Sequence, residues 1–238
     1  LSETELLEIT GLKPLEWAPI DISLQEALSE TNNRVVFAHD YMRIAIEDRY
    51  LPTDELKRKA HSDLADWWEP NDKWDSRKAE EYPWQLEQSD RKEDLRKLLL
   101  GSSNLFSLNS NCGSREVINY WRKVRTDDDP ELDELIADDV QRELEQHQDN
   151  TNFLIRYIDV LASLLDEAGL YRGLMLQLRL LSLELEDQRQ DRNEIQVVMS
   201  MNALASAYSD VGDLEQALLL FKRCLEARKI LLGEKHID

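Results

Sequence analysis

Apolar residues recur along most of this chain at spacings of three and four, the signature of amphipathic helices. The opening run places Ser2 as a helix cap with Glu5 three residues later and Gly11 as the stop. A second helix is predicted from Pro19 or Ile22 through Leu28, followed by a turn at Asn32-Asn33. Arg34 to His39, with two valines and a phenylalanine, is the best strand candidate. A third helix runs from Asp40 through Tyr50 with Met42, Ala45, Ile46 and Tyr50 on one face, and Pro52 ends it. Helical spacing resumes at Asp54 through Leu56, Ala60, Leu64 and Trp67 or Trp68, until Pro70-Asn71-Asp72 interrupts it. From Ala79 to Leu99 it continues in two pieces, and Gly101-Ser102-Ser103 is expected to release the chain. The run from Asn109 to Ser114 reads as a loop before a helix around Val117 to Trp121. Asp127 or Asp129 is placed to cap a helix with Pro130 in its first turn.

From Thr151 the pattern simplifies into four helices of similar length, and the sequence matches itself at a shift of 43 residues. Leu161, Ala162, Ser163 and Gly169 then fall on Leu204, Ala205, Ser206 and Gly212. In the second copy the small residues Ala205, Gly212 and Ala217 mark close approach of two helices. Leu204, Tyr208, Leu218, Phe221 and Leu225 are expected to fill the space between them. Such a helix pair leaves an apolar flank that needs a neighbour.

The charge balance alters this picture only in its partners. With 29 Lys and Arg against 49 Asp and Glu, the formal net charge is -20, which disfavours phosphate backbones and anionic membranes. The 42% hydrophobic content and regular periodicity exclude a disordered acidic tail. Asp127 to Asp129 and Asp138-Asp139 read as solvated charge runs, with a basic peptide as a second reading. No apolar run approaches the roughly 20 residues that cross a bilayer. Two distant cysteines fit a reducing compartment, so a cytoplasmic chain is expected. Its start at Leu1 and its end just after a helix-like segment lead us to expect a piece of a longer protein.

Enzyme motifs are missing from the sequence. There is no phosphate loop and no nucleophile elbow, and the spacing of His39 and His61 matches no compact metal motif. His39 is expected to cap or hydrogen-bond at the start of the third helix, and Cys112 to sit in an exposed loop. One of Trp67 and Trp68 must face away from a single core stripe and be covered from another side.

Asn202, Leu204, Ala205, Tyr208, Gly212, Ala217, Leu225, Leu232-Gly233 and His236 together resemble a tetratricopeptide repeat of the kinesin-light-chain type. Ala203 and Ile237 depart from its usual asparagine and proline. The front half resembles the winged-helix and linking region of nephrocystin-3-like NACHT signalling proteins. That resemblance rests on Leu6-Leu7, Trp17, Val35 to His39, Ala45, Tyr50-Leu51, His61, Leu64-Ala65, Tyr82 to Leu86 and Tyr120 to Arg122. Short helices followed by one hairpin agree with that reading.

The fold class expected is mainly all-α: a winged-helix-like module over 1–66, a helical linker or degenerate repeats over 67–150, and a tetratricopeptide-type α-solenoid over 151–238. The resemblance implies a non-catalytic regulatory and interaction region of a larger NTPase switch or scaffold. It would need no cofactor or metal, bind a protein or peptide partner with a basic segment as one option, and contact an upstream nucleotide-binding module. Partner-binding positions implied are Asn202, Ser206, Ser209 and Asp210, joined by Arg156 and Asp159 from the preceding copy. A DNA-binding regulator is the alternative, opposed by the net charge and by only Arg43 and Arg49 as bases on the third helix.

Overall fold

The computed structural model describes residues 1–70, 74–125, 130–169, 172–189 and 193–232. Among them lie thirteen helices and one two-stranded hairpin, divided between two compact units, Leu1–Lys92 and Glu93–Asp238. Asn71, Asp72, Asp127 to Asp129, Gly233, His236 and Ile237, which carried several of the expectations above, lie outside the described residues.

In the first unit, α1 (Glu3–Thr10) opens on the expected reciprocal cap. The Ser2 hydroxyl accepts from the Glu5 N–H at 3.2 Å, and the Glu5 carboxylate accepts from the Ser2 N–H at 2.6 Å. Gly11 closes it in the left-handed region at φ 69°. α2 (Pro14–Leu24) corrects the second helix, which starts earlier and ends sooner than expected. Pro14 occupies the first turn, where its missing N–H costs nothing, and Glu16 accepts from the Lys13 N–H at 2.8 Å. Leu28 belongs instead to β1 (Leu28–Thr31), which pairs antiparallel with β2 (Arg34–Phe37) in the register Leu28↔Phe37 to Thr31↔Arg34. Asn32 and Asn33, at φ 52° and 60°, supply the two left-handed positions that a two-residue hairpin turn demands.

α3 (Asp40–Tyr50) has the expected bounds but buries none of its residues; Met42 is half-buried while Ala45, Ile46 and Tyr50 are exposed. α4 (Asp54–Trp68) is capped by the Thr53 hydroxyl, and α5 (Ser76–Gln88) by the Asp75 carboxylate, which accepts from the Lys78 N–H at 2.8 Å. These two helices pack together and carry the unit's core in Ala65, Trp68, Ala79, Tyr82 and Leu86. Trp67 stays half-buried and meets Trp68 edge-on at 4.6 Å, so one indole of the pair takes the core. The expected boundary at 66/67 falls inside α4.

The second unit takes up α6 (Lys92–Leu98) from its second residue and contains α7 (Ser102–Asn111), α8 (Ser114–Val124), α9 (Pro130–Gln146), α10 (Thr151–Ala168), α11 (Arg172–Gln188), α12 (Glu194–Asp210) and α13 (Leu214–Leu232). α7 corrects the expected release at Gly101 and much of the expected loop from Asn109. Its Ser/Asn-rich sequence has weak helix propensity, but Leu105 and Leu108, both at 0% exposure, pay for the helix by packing.

Asp139, expected in a solvated charge run, is instead buried at 1% exposure. It shares the inner face of α9 with Leu132, Ile136, Val140 and Glu143, and the two carboxylates cap α7 from outside that helix. Asp139 accepts from the Gly101 N–H at 3.0 Å, from Arg142 at 2.8 Å and from the Tyr157 hydroxyl, while Glu143 accepts from the Ser102 N–H at 2.9 Å. Negative charge at a helix N-terminus is favourable, and hydrogen bonds offset its burial.

α10 to α13 form the four expected helices, and the 43-residue shift carries Thr151 at the start of α10 onto Glu194 at the start of α12. Gly169 and Gly212, at φ 76° and 87°, follow the first helix of each pair. A Cβ would meet nothing within 4 Å at either, so backbone conformation and not crowding selects glycine there. Ala205 and Ala217 are buried at the contact, with Leu204, Leu220 and Cys224. Leu218, Phe221 and Leu225 are not core, being 55%, 38% and 42% exposed. Ala217, Leu220 and Cys224 form the stripe that faces inward, and each of the other three sits one residue later, about 100° around the helix.

Candidate partner-binding face

α10 and α12 are the first helices of the two pairs, and each begins on an asparagine cap. Asn150 accepts from the Phe153 N–H at 3.2 Å, and Asn193 from Ile195 and Gln196 at 3.0 and 3.4 Å. With their starts fixed, the phase of each polar face is set by the buried stripe opposite. On α10 that stripe includes Leu154, Ile158, Leu161 and Leu165; on α12 it includes Val197, Met201, Leu204 and Ala205.

Four of the six expected binding residues line two clefts, two in each. Ser206 and Asp210 line one of about 360 Å³ with Asp166, Met175, Arg179 and Ala203. Arg156 and Asp159 line another of about 450 Å³ with Asn152, Glu186, Arg189 and Gln196. Asn202 and Ser209 line neither. Asn202 is half-buried, whereas Ser206, Ser209 and Asp210 are exposed.

Several of these side chains already have work inside the protein. Asp159 accepts from Arg179 at 3.2 Å and from the Ser182 hydroxyl at 2.8 Å, tying α10 to α11. Arg179 also donates to the Ser163 hydroxyl at 3.1 Å. The Arg156 guanidinium lies 4.9 Å from the centre of the Phe106 ring. Ser206 spends its proton on the Asn202 carbonyl at 3.2 Å, leaving its oxygen as an acceptor.

The sequence reading missed Arg179, Glu186 and Arg189. Glu186 is 2% exposed and receives Arg189, the residue just past the end of α11, at 3.0 and 3.3 Å; their three-residue spacing was the available signal. Arg179 gave none, because its partners lie on another helix. Together the clefts offer carboxylates, guanidinium groups and amides beside apolar residues such as Ala203 and Val160, a surface for polar, extended ligands.

Groups singled out for chemistry are occupied otherwise. His39 makes no side-chain cap, which corrects its expected role: its ring stacks on Tyr41 at 5.3 Å, and its backbone carbonyl accepts from the Met42 N–H at 3.1 Å. His61 Nδ1 lies 2.8 Å from Gln85 Oε1, with its ring edge-on to Trp84. Cys112 is half-buried and donates to the Leu108 carbonyl at 2.9 Å, so the thiol is tied to the end of α7 and is less open than expected. Burial pushes the Cys224 thiol up despite Arg228 and Arg223, and burial followed by the Asp139 carboxylate pushes the Tyr157 hydroxyl far up. Among the described residues, no helix is long and apolar enough to cross a membrane, and no three metal-binding side chains cluster.

Comparison with known proteins supports the repeat reading. A tetratricopeptide repeat family model matches residues 197–238. A TPR repeat-containing protein of Dictyostelium discoideum is 26% identical over 134 residues, covering 56% of this chain and 8% of that protein's own length. No solved structure matches the chain. The chain thus carries a tetratricopeptide repeat within a mainly helical fold, and such repeats generally mediate protein interactions.

Proposed function

We propose that this chain is a non-catalytic, cytoplasmic interaction and regulatory region of a larger switch or scaffold protein. The polar faces of α10 and α12 bind a protein or peptide partner, and a basic segment suits the acidic rim at Asp166 and Asp210. In the parent protein a NACHT-type nucleotide module precedes a winged-helix-like region over 1–66, a helical linker over 67–150 and repeats over 151–238. The observation that carries the binding role is the tetratricopeptide match at 197–238, with the polar cleft beside it on α12. The net charge of -20 weighs against nucleic acid as the partner.

The test is a peptide-array screen at low salt with the full chain, followed by fluorescence polarisation on the best basic peptide. Asp210→Asn and Asp166→Asn are expected to weaken it roughly tenfold each, the size of one lost charged contact. Affinities unchanged in both variants, or no peptide bound, would remove the proposed face.

A further inference from the structure

The first fifty residues have almost no core of their own. Among them only Ala27 is buried, and α1, α2 and α3 bury no side chain. A two-stranded hairpin is marginal by itself. Backbone bonds join the pieces to one another: Val35 N–H donates to the Leu1 carbonyl at 2.8 Å, and Ala38 N–H to the Ala27 carbonyl at 2.9 Å.

Ionic contacts reach from these pieces to α5. Arg77 forks over Glu5 of α1, with Nε at 3.2 Å and Nη2 at 3.3 Å, and sends Nη1 to Glu81 at 2.8 Å. Arg34 of β2 donates to Glu80 at 3.0 Å. The Arg77 and Glu5 side chains keep only 20% and 14% of their exposure, so solvent screens this pair less than the outer one. Arg77 is held on its own side by Trp68, 5.8 Å from the ring centre.

We propose that Arg77 is an electrostatic latch: its fork over Glu5, seconded by Arg34–Glu80, holds residues 1–50 against α5, and breaking that pairing frees the segment while α4 and α5 stay packed. Leu51, Pro52 and Thr53, between α3 and α4, are the hinge. Charge balance sets the direction. With Arg77 neutralised, the three carboxylates Glu5, Glu80 and Glu81 outnumber the two remaining cations, Arg34 and the Leu1 ammonium, so the balance turns from attraction towards repulsion. Glu5 also accepts from the Ser2 N–H, so docking and the first turn of α1 share one carboxylate. Burial alone would raise that carboxyl, but the Arg77 bond, the Ser2 amide and the Arg77 charge outweigh it and hold it below its ordinary value.

Hydrogen exchange of the full chain, read by mass spectrometry, tests the latch. Arg77→Gln is expected to speed exchange roughly tenfold in peptides from 1–50, the loss of one forked charged contact, while α4 and α5 change less than about twofold. Glu5→Gln keeps a residue that can cap α1 and should give the same pattern. Arg77→Lys, which keeps the charge without the fork, should fall between, and about 1 M salt should mimic Arg77→Gln. Unchanged exchange over 1–50 in both Arg77→Gln and Glu5→Gln would overturn the latch. So would an equal rise throughout α4 and α5, which would make Arg77 a general support of the fold.

Discussion

Residues 1–50 and the helix pairs α10 to α13 are stabilised by different physics. The first region has one buried side chain, whereas α10 alone has nine, from Leu154 to Ala168. Hydrophobic burial is not screened by salt, while the ion pairs from residues 1–50 to α5 are weakened by it. The repeats therefore suit a fixed surface, and the N-terminal region suits movement.

The strongest way to break this comparison is to remove apolar volume from each side. Leu161→Ala in α10, where the side chain has 0% exposure, is expected to cost about 3 kcal/mol in urea unfolding. Leu15→Ala in α2, at 89% exposure, should stay within about 0.5 kcal/mol. Equal losses would show that residues 1–50 lean on a core after all. Asp139→Asn should come next, at about 2 kcal/mol, because it leaves donors from Gly101, Arg142 and Tyr157 competing for a single amide oxygen. Gly169→Ala should cost about 1 kcal/mol by forcing a Cβ into left-handed backbone, and differential calorimetry would detect the lower Tm.

The smallest effect is a pH dependence confined to the first region. Glu5 has a folded pKa below its unfolded one, so its contribution is present above the unfolded value and fades as pH falls through the folded one. Acidification below about pH 4 should therefore speed exchange in 1–50, once corrected for the slower intrinsic exchange of amides in acid, before α10 responds. A simultaneous rise in both regions would erase the distinction.

What the sequence made legible was local. The Ser2–Glu5 cap, the Asn32-Asn33 turn and the glycines after α10 and α12 are each decided within a few residues, and the helix pairs announce themselves by repetition. Partnership across the fold was hidden. Asp139 looked like its exposed neighbour Asp138 because its partners lie on α7 and α10, and α7 itself was obscured by a sequence that helix propensity does not favour. Leu218, Phe221 and Leu225 share the composition of a core stripe, and only the seating of α13 on α12 decides which leucines face in. At the candidate site, Asp159 was readable as a polar position on α10, but its bond to Arg179 was not.

The outside cap on α7 has a consequence for how the chain is made. Gly101 and Ser102 find their acceptors 38 and 41 residues later, on α9. As the polypeptide leaves the ribosome, the first turn of α7 waits with open amides until Glu143 has emerged. A translational pause placed before that point would hold this region half-assembled, whereas each helix pair that follows can close on contacts made within its own span.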